Sequence, residues 1–234
     1  MERMMLSREE PFADRAQAGR LLAETLRIYR TRPNLLVLAL PRGGVPVAAR
    51  VAEALNAPMD VYLVRKLGAP MQPELAMGAI AEAGPNRSSL RVIDWSLVNR
   101  IGLSDDELEA VIRTEEREMA RRHDLYRGDR PSPHLAGRTI ILVDDGAATG
   151  STMLSAIRAL KSQASAKGEA TKVIVALPVA SREAAEILSA EADDFVCLNT
   201  PPDFRAVGNW YLDFRQVSDQ EVIEQLQASA DSLE

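Results

Sequence analysis

The chain has 234 residues, a formal net charge of −6, and 46% hydrophobic against 26% charged residues, a balance that fits a globular protein of one large domain. Its Lys and Arg residues form no block, which argues against a nucleic-acid surface. No apolar run approaches a membrane span, and the start is charged from Glu2 onward, so a cytoplasmic location is the expectation.

A helical pattern over 15–29 places Ala18, Leu21, Leu22, Leu26 and Tyr29 on one stripe. The continuous apolar run 35–40 follows and stops at Pro41-Arg42-Gly43-Gly44, which predicts a short strand buried on both faces. A helix over 45–55 and a strand over 60–64 come next. Residues 66–138 break the rhythm. Residues 66–89 are rich in Gly, Pro and Ala and weakly periodic, which predicts a long mobile excursion. Ser104-Asp105-Asp106-Glu107 is a capping box opening a helix to about 126, with Leu108, Val111, Ile112, Met119 and Tyr126 as its apolar stripe. Further strands are predicted at 139–143, 172–178 and 195–198, with helices at 151–161 and from Ser181. A second capping box, Ser218-Asp219-Gln220-Glu221, opens a C-terminal helix. Strands alternating with helices predict an α/β fold: a Rossmann-like parallel sheet covered on both faces. The division expected is one domain over 1–234, with 66–138 as an insertion and 199–217 as a small hood.

The segment that carries chemistry is Ile140-Ile141-Leu142-Val143-Asp144-Asp145-Gly146-Ala147-Ala148-Thr149-Gly150-Ser151-Thr152. An apolar strand ends in two carboxylates, and a small-residue turn opens a helix. Ligands of open α/β sheets sit at the carboxyl ends of strands. Ala147, Ala148, Thr149, Gly150, Ser151 and Thr152 offer close backbone N–H groups, hydroxyls and a helix N-terminus to an anion. Asp144 and Asp145 would repel phosphate, yet they accept hydrogen bonds from vicinal hydroxyls and hold Mg²⁺ through water. A phosphorylated ribose satisfies both halves. No Gly-Lys-Ser/Thr follows for a nucleoside-triphosphate loop, and no G-x-G-x-x-G is present for a dinucleotide. Cys197, the single cysteine, lies in an apolar run and reads as a buried small side chain; His123 and His134 lack metal-ligand spacing.

This segment resembles the diphosphate-ribose signature of type I phosphoribosyltransferases: apolar residues, two acids, a small-residue turn, then Thr-Gly-x-Thr. Pro41-Arg42-Gly43-Gly44-Val45-Pro46 falls where that family places its pyrophosphate loop, and the arrangement is most similar to a bacterial subgroup with the Pro-Arg-Gly-Gly start. The resemblance implies displacement of pyrophosphate from phosphoribosyl pyrophosphate (PRPP) by a nitrogenous acceptor, with Mg²⁺ at Asp144 and Asp145. It implies Arg42, Gly43 and Gly44 at the leaving group, a cis peptide at Arg42-Gly43, and a homodimer. Arg65 and Lys66, at a strand end below the excursion, are further candidates to neutralise pyrophosphate.

The aromatic-rich stretch 204–215, the candidate hood, resembles the Val-Gly-x-Leu-Asp-aromatic segment of 6-oxopurine phosphoribosyltransferases offset by one residue, which implies Phe204 or Trp210 stacked on a planar base and Asp213 accepting from it or approaching Mg²⁺. Ala148 departs from the 6-oxopurine enzymes, which carry Asp there to manage the base's proton. That departure keeps a second expectation open, a non-catalytic protein that senses PRPP or a nucleotide. The Arg42, Gly43 and Lys66 set favours the transferase.

Overall fold

In the computed structural model, which describes residues 10–82, 89–128, 130–166 and 170–231, the elements in chain order are α1 (Arg15–Leu26), β1 (Leu35–Ala39), α2 (Gly44–Leu55), β2 (Met59–Val61), β3 (Val64–Ala69), β4 (Gln72–Glu82), β5 (Ser89–Ile93), α3 (Trp95–Ile101), α4 (Asp105–Arg127), β6 (Thr139–Val143), α5 (Ser151–Ala166), β7 (Lys172–Val179), α6 (Arg182–Glu191), β8 (Asp194–Asn199) and α7 (Asp219–Asp231). Five strands pair in parallel in the order β2-β1-β6-β7-β8. The central runs are apolar throughout because successive side chains point to opposite faces and both faces are covered. Val37, Ala39, Ile141, Val143, Ile174 and Ala176 join one buried layer with α1, α2 and α7. Leu36, Leu38, Ile140, Leu142, Val173 and Val175 join the other, with Met153, Ile157 and Leu160 of α5 and Leu188 of α6. The Rossmann-like sheet with helices on both faces is therefore as the alternation predicts.

The helix ends follow local chemistry. Ser104 accepts from the Glu107 amide while the Glu107 carboxylate accepts from the Ser104 amide, the reciprocal cap that starts α4. Ser218 and Glu221 make the same exchange ahead of α7. Gly19 lets α1 cross α2 closely: a Cβ there would lie 2.6 Å from the Val47 carbonyl oxygen.

Three expectations change. The strand predicted over 60–64 is divided: β2 stops at Val61, and Val64 already belongs to β3, so the chain leaves the parallel sheet at Tyr62 and Leu63. The stretch predicted as a mobile excursion forms β3, β4 and the start of β5, an antiparallel sheet in the order β3-β4-β5; residues 83–88 of that expectation lie outside the described residues. This sheet lies between α4 and α5, with Met77 and Ile80 packed into one core and Ala79 and Ala81 into the other. Burial on both sides removes the polar alternation that would have revealed a strand. Gly78 is needed in β4 because a Cβ there would lie 2.2 Å from the Val92 carbonyl oxygen of β5. A short helix, α3, is an addition to the predicted elements; Asp94 caps it by accepting from the Leu97 amide.

A buried polar cluster ties the small sheet to the edge of the large one. Arg127 of α4 pairs with Glu82 of β4 and with Asp60 of β2, and donates to the Val61 carbonyl. Glu82 also takes His123 Nδ1 at 2.6 Å and the Ser132 hydroxyl. No helix among the described residues is long and apolar enough to cross a membrane.

Candidate functional site

β1 and β6 are parallel neighbours, so their carboxyl ends fall on one edge and the turns that leave them meet. The Leu40 amide donates to the Val143 carbonyl, which brings residues 41–44 alongside Asp144 and Asp145. Gly43 and Gly44 make that approach possible. A Cβ on Gly43 would lie 2.1 Å from Asp145 Oδ2, and one on Gly44 2.7 Å from the Val143 carbonyl oxygen. The cis bond of this turn is Pro41–Arg42, one residue earlier than the resemblance implied; the turn between the end of β1 and Gly44, the first residue of α2, is centred there.

Asp144 Oδ1 accepts the Asp145 amide at 2.8 Å. Burial first, and then the adjacent Asp145 charge, push the Asp144 carboxyl well above the usual carboxylate range. Burial also raises Asp145, against the opposing pull of Arg15. Arg15, the first residue of α1, donates from Nε to Asp145 Oδ2 at 2.8 Å, and its Nη2 forms an ion pair with the same oxygen at 2.8 Å. Its Nη1 donates to the Arg215 carbonyl at 2.8 Å, and its guanidinium stacks 4.0 Å from the centre of the Phe214 ring. Tyr211 donates its hydroxyl to the Asp145 carbonyl at 2.5 Å. Nothing in the sequence around Arg15 marks it for this role, since it opens a helix 130 residues before its partner.

The small-residue turn is stapled on one side and open on the other. Ala147 pairs with Ala180 beyond β7, and the Ser181 hydroxyl donates to the Ala148 carbonyl at 2.7 Å. Ala148 and Thr149 stand exposed at the tip, and Gly150 takes φ 71°, a left-handed conformation suited to glycine. Gly146 could carry no side chain, because a Cβ would lie 2.6 Å from Val207 Cγ1. Thr149 and Ser151 hydroxyls lie 2.9 Å apart at the N-terminus of α5, where the first-turn N–H groups point out of the helix. Thr152 is exposed in the same turn.

Arg42 reaches across to Asp219 Oδ1 at 3.7 Å, and Asp219 also takes the Tyr126 hydroxyl at 2.6 Å. Arg15, Arg42, Gly43, Asp145 and Phe214 line a 310 Å³ cavity beside the paired carboxylates. Thus the structure brings Arg42, Gly43 and Gly44 together with Asp144 and Asp145. Lys66 sits on the small sheet, opposite Ala79 of β4, and Arg65 pairs with Glu115 of α4 at 2.6 Å. Phe204 and Trp210 pack against the main core; the rings beside Asp145 are Tyr211 and Phe214. Asp213 is exposed. Cys197 is buried with its thiol pushed up to about 12 by desolvation, which fits a core side chain rather than a nucleophile.

Among the described residues no group of three or more His, Cys, Asp or Glu side chains is arranged to hold a metal. Two adjacent carboxylates do suit Mg²⁺, which keeps most of its coordination for water and ligand oxygens. Asp144 and Asp145 would be the residues to hold it.

Paired acids and a helix N-terminus meet at the carboxyl edge of a parallel sheet, the place where Rossmann-like folds hold their ligands. Comparison with known proteins narrows the class. The family profile of the phosphoribosyl transferase domain matches residues 14–215, and the chain belongs to that family. A protein of Mycobacterium tuberculosis H37Rv, Rv0571c, a phosphoribosyl transferase by name, is 42% identical over 212 residues. The counterpart from strain CDC 1551, MT0597, gives the same identity. The match covers 91% of this chain and 45% of each relative, so the chain spans about half the length of the curated relatives it matches. The crystal structure of TT1426 from Thermus thermophilus superposes with a TM-score of 0.78 at 39% identity, covering 93% of this chain and 98% of that one.

Proposed function

We propose that this protein transfers the 5-phosphoribosyl group of PRPP to a nitrogenous acceptor and releases pyrophosphate. The observation that carries the reading is the seating of the Arg42-Gly43-Gly44 turn directly against Asp144 and Asp145, at separations only glycine allows. One ligand with a sugar diol between two phosphate groups matches that juxtaposition. The 5-phosphate belongs on the tip from Ala148 to Thr152, the hydroxyls on the paired carboxylates, and the pyrophosphate on Arg42 and the Gly43 and Gly44 amides.

In the reaction the acceptor nitrogen forms a bond to C1 as the C1–O bond breaks and its electron pair leaves with pyrophosphate. Arg42 faces charge that grows only as that bond breaks, so its interaction is stronger in the transition state than in the ground state. Thr149 and Ser151, already within hydrogen-bond distance of each other, can turn both hydroxyls to a phosphate. Mg²⁺ held by Asp144 and Asp145 would shield the leaving-group charge. Lys66 is proposed to add a cation at the pyrophosphate from the small sheet, and Phe204 or Trp210 to border the acceptor. Ala148 supplies no carboxylate for proton removal, so the acceptor is one that needs little base assistance. A homodimer is part of the proposal, checked by light scattering.

The exposed Ala148 tip also fits a second reading, in which the site binds PRPP or a nucleotide without turnover. A screen of purines, pyrimidines and small amines with Mg²⁺ and PRPP, reading pyrophosphate, separates the two. Turnover with any acceptor, lost when Asp144→Asn is combined with Asp145→Asn, supports the transferase. PRPP binding without turnover for every acceptor favours the sensor, and unchanged PRPP affinity in the double variant refutes the site.

A further inference from the structure

We infer that Arg15 is a positioning residue for the sugar-binding carboxylate: it engages Asp145 Oδ2 and leaves Oδ1 for a ribose hydroxyl. The inference rests on the phosphoribosyl reading above and adds a residue that no part of the motif contains.

The geometry is asymmetric in a useful way. Arg15 Nε donates to Oδ2 at 2.8 Å and Nη2 lies 2.8 Å from the same oxygen, while no side chain of another described residue donates to Oδ1. A guanidinium serving only as a structural ion pair would more commonly divide its two donors between the two oxygens of the carboxylate. Here the guanidinium engages one oxygen only, and the Asp145 side chain lines the 310 Å³ cavity. The Gly43 backbone closes the Oδ2 side, so the carboxylate is held between Arg15 and the turn at the end of β1.

Arg15 is itself held by two contacts besides Asp145. Its Nη1 is taken by the Arg215 carbonyl, and its planar face lies on Phe214. Phe214 in turn is backed by Gly208, where a Cβ would lie 2.8 Å from Cδ1 of the ring. Stacking on an aromatic face and a bidentate fork are properties of Arg that Lys lacks. The side chains of Arg15 and Asp145 are 10% and 14% exposed, so water competes little for either group. The segment 211–215 therefore acts on the site through Arg15 rather than by offering Phe214 to a base, since one face of that ring is already covered.

The test compares two probes on the full chain by calorimetry: ribose 5-phosphate, and inorganic phosphate, which shares the anion cradle but has no hydroxyls. Wild type should prefer ribose 5-phosphate. Arg15→Ala and Asp145→Asn should each lose roughly tenfold or more in ribose 5-phosphate affinity, as expected for a charge-assisted hydrogen bond, with phosphate affinity unchanged. Arg15→Lys should recover only part of the loss. Phe214→Leu, which keeps every charge, should move the preference the same way by a smaller factor, and it carries the test should Arg15→Ala fail to fold. Parallel loss of both probes in a folded Arg15 variant, or a preference kept at the wild-type value, overturns the inference. A wild type that binds phosphate and ribose 5-phosphate equally refutes the phosphoribosyl reading itself, and the inference falls with it.

Discussion

Gly43→Ala is the smallest change that tests the meeting of the two turns. The added Cβ would lie 2.1 Å from Asp145 Oδ2 and 2.6 Å from its Cγ, where ordinary contact begins at 3.4 Å. The shortfall at Oδ2 is 1.3 Å, too large for local give, because Gly43 is the cap of α2 and Asp145 is held at Oδ2 by Arg15 and at its carbonyl by Tyr211. The Asp145 side chain must therefore swing off Arg15. Breaking a fully buried ion pair costs about 3–5 kcal/mol. With both side chains slightly exposed, about 2 kcal/mol of stability is the expected loss. The displaced carboxylate also gives up its hydrogen bond to the sugar, worth about 1.5–3 kcal/mol for a charged acceptor, or roughly ten- to a hundredfold in PRPP affinity. Urea unfolding and calorimetric titration with Mg²⁺ and PRPP read the two effects separately. Wild-type stability together with wild-type PRPP affinity in Gly43→Ala would refute the juxtaposition on which the function is argued.

Three further predictions address separate features. Arg42→Ala should lower turnover by on the order of 10²-fold while leaving ribose 5-phosphate affinity nearly intact, as for removal of one electrostatic stabiliser; steady-state kinetics beside calorimetry checks this, and equal losses in both would sink it. Arg127→Met strands Glu82 and Asp60 in the interior, where Arg127 is 1% exposed and Glu82 5%, so a loss of about 3–5 kcal/mol is expected by chemical denaturation; a neutral result would show the cluster to be dispensable. Glu221 is held down to about 2 by the Arg215 hydrogen bond first and the Ser218 amide second, from an ordinary 4.5. Because the folded value is depressed, its contribution is present above about pH 4.5 and fades as pH falls toward 2. At this exposed site it amounts to a few tenths of a kcal/mol. Carboxyl NMR should find the Glu221 midpoint below its ordinary value and moved up in Arg215→Ala; a wild-type midpoint at the ordinary value would count against the pairing.

The sequence by itself determined the parts that depend on neighbours along the chain. Runs such as 139–143 cannot be exposed, and the capping boxes at Ser104 and Ser218 satisfy amides within one helical turn, so strands and helix starts are written locally. The same holds for the order of acids, small residues and hydroxyls from Asp144 to Thr152, all within one strand-turn-helix. Only the tertiary structure decided what distant segments do to one another. β4 hides its strand character because Met77, Ala79, Ile80 and Ala81 are covered on both sides by α4 and α5, leaving no alternation to read. Lys66 follows β2 closely in sequence, yet the chain turns out of the parallel sheet and places it in another. Arg15 reaches Asp145 across 130 residues because α1 packs on α2 and its first residue lies beside the turn that follows β6. Phe214, read as part of a hood over the acceptor, supports that arginine. Side-chain pairings of this kind carry no periodicity and no spacing; they exist only once packing has brought the elements together.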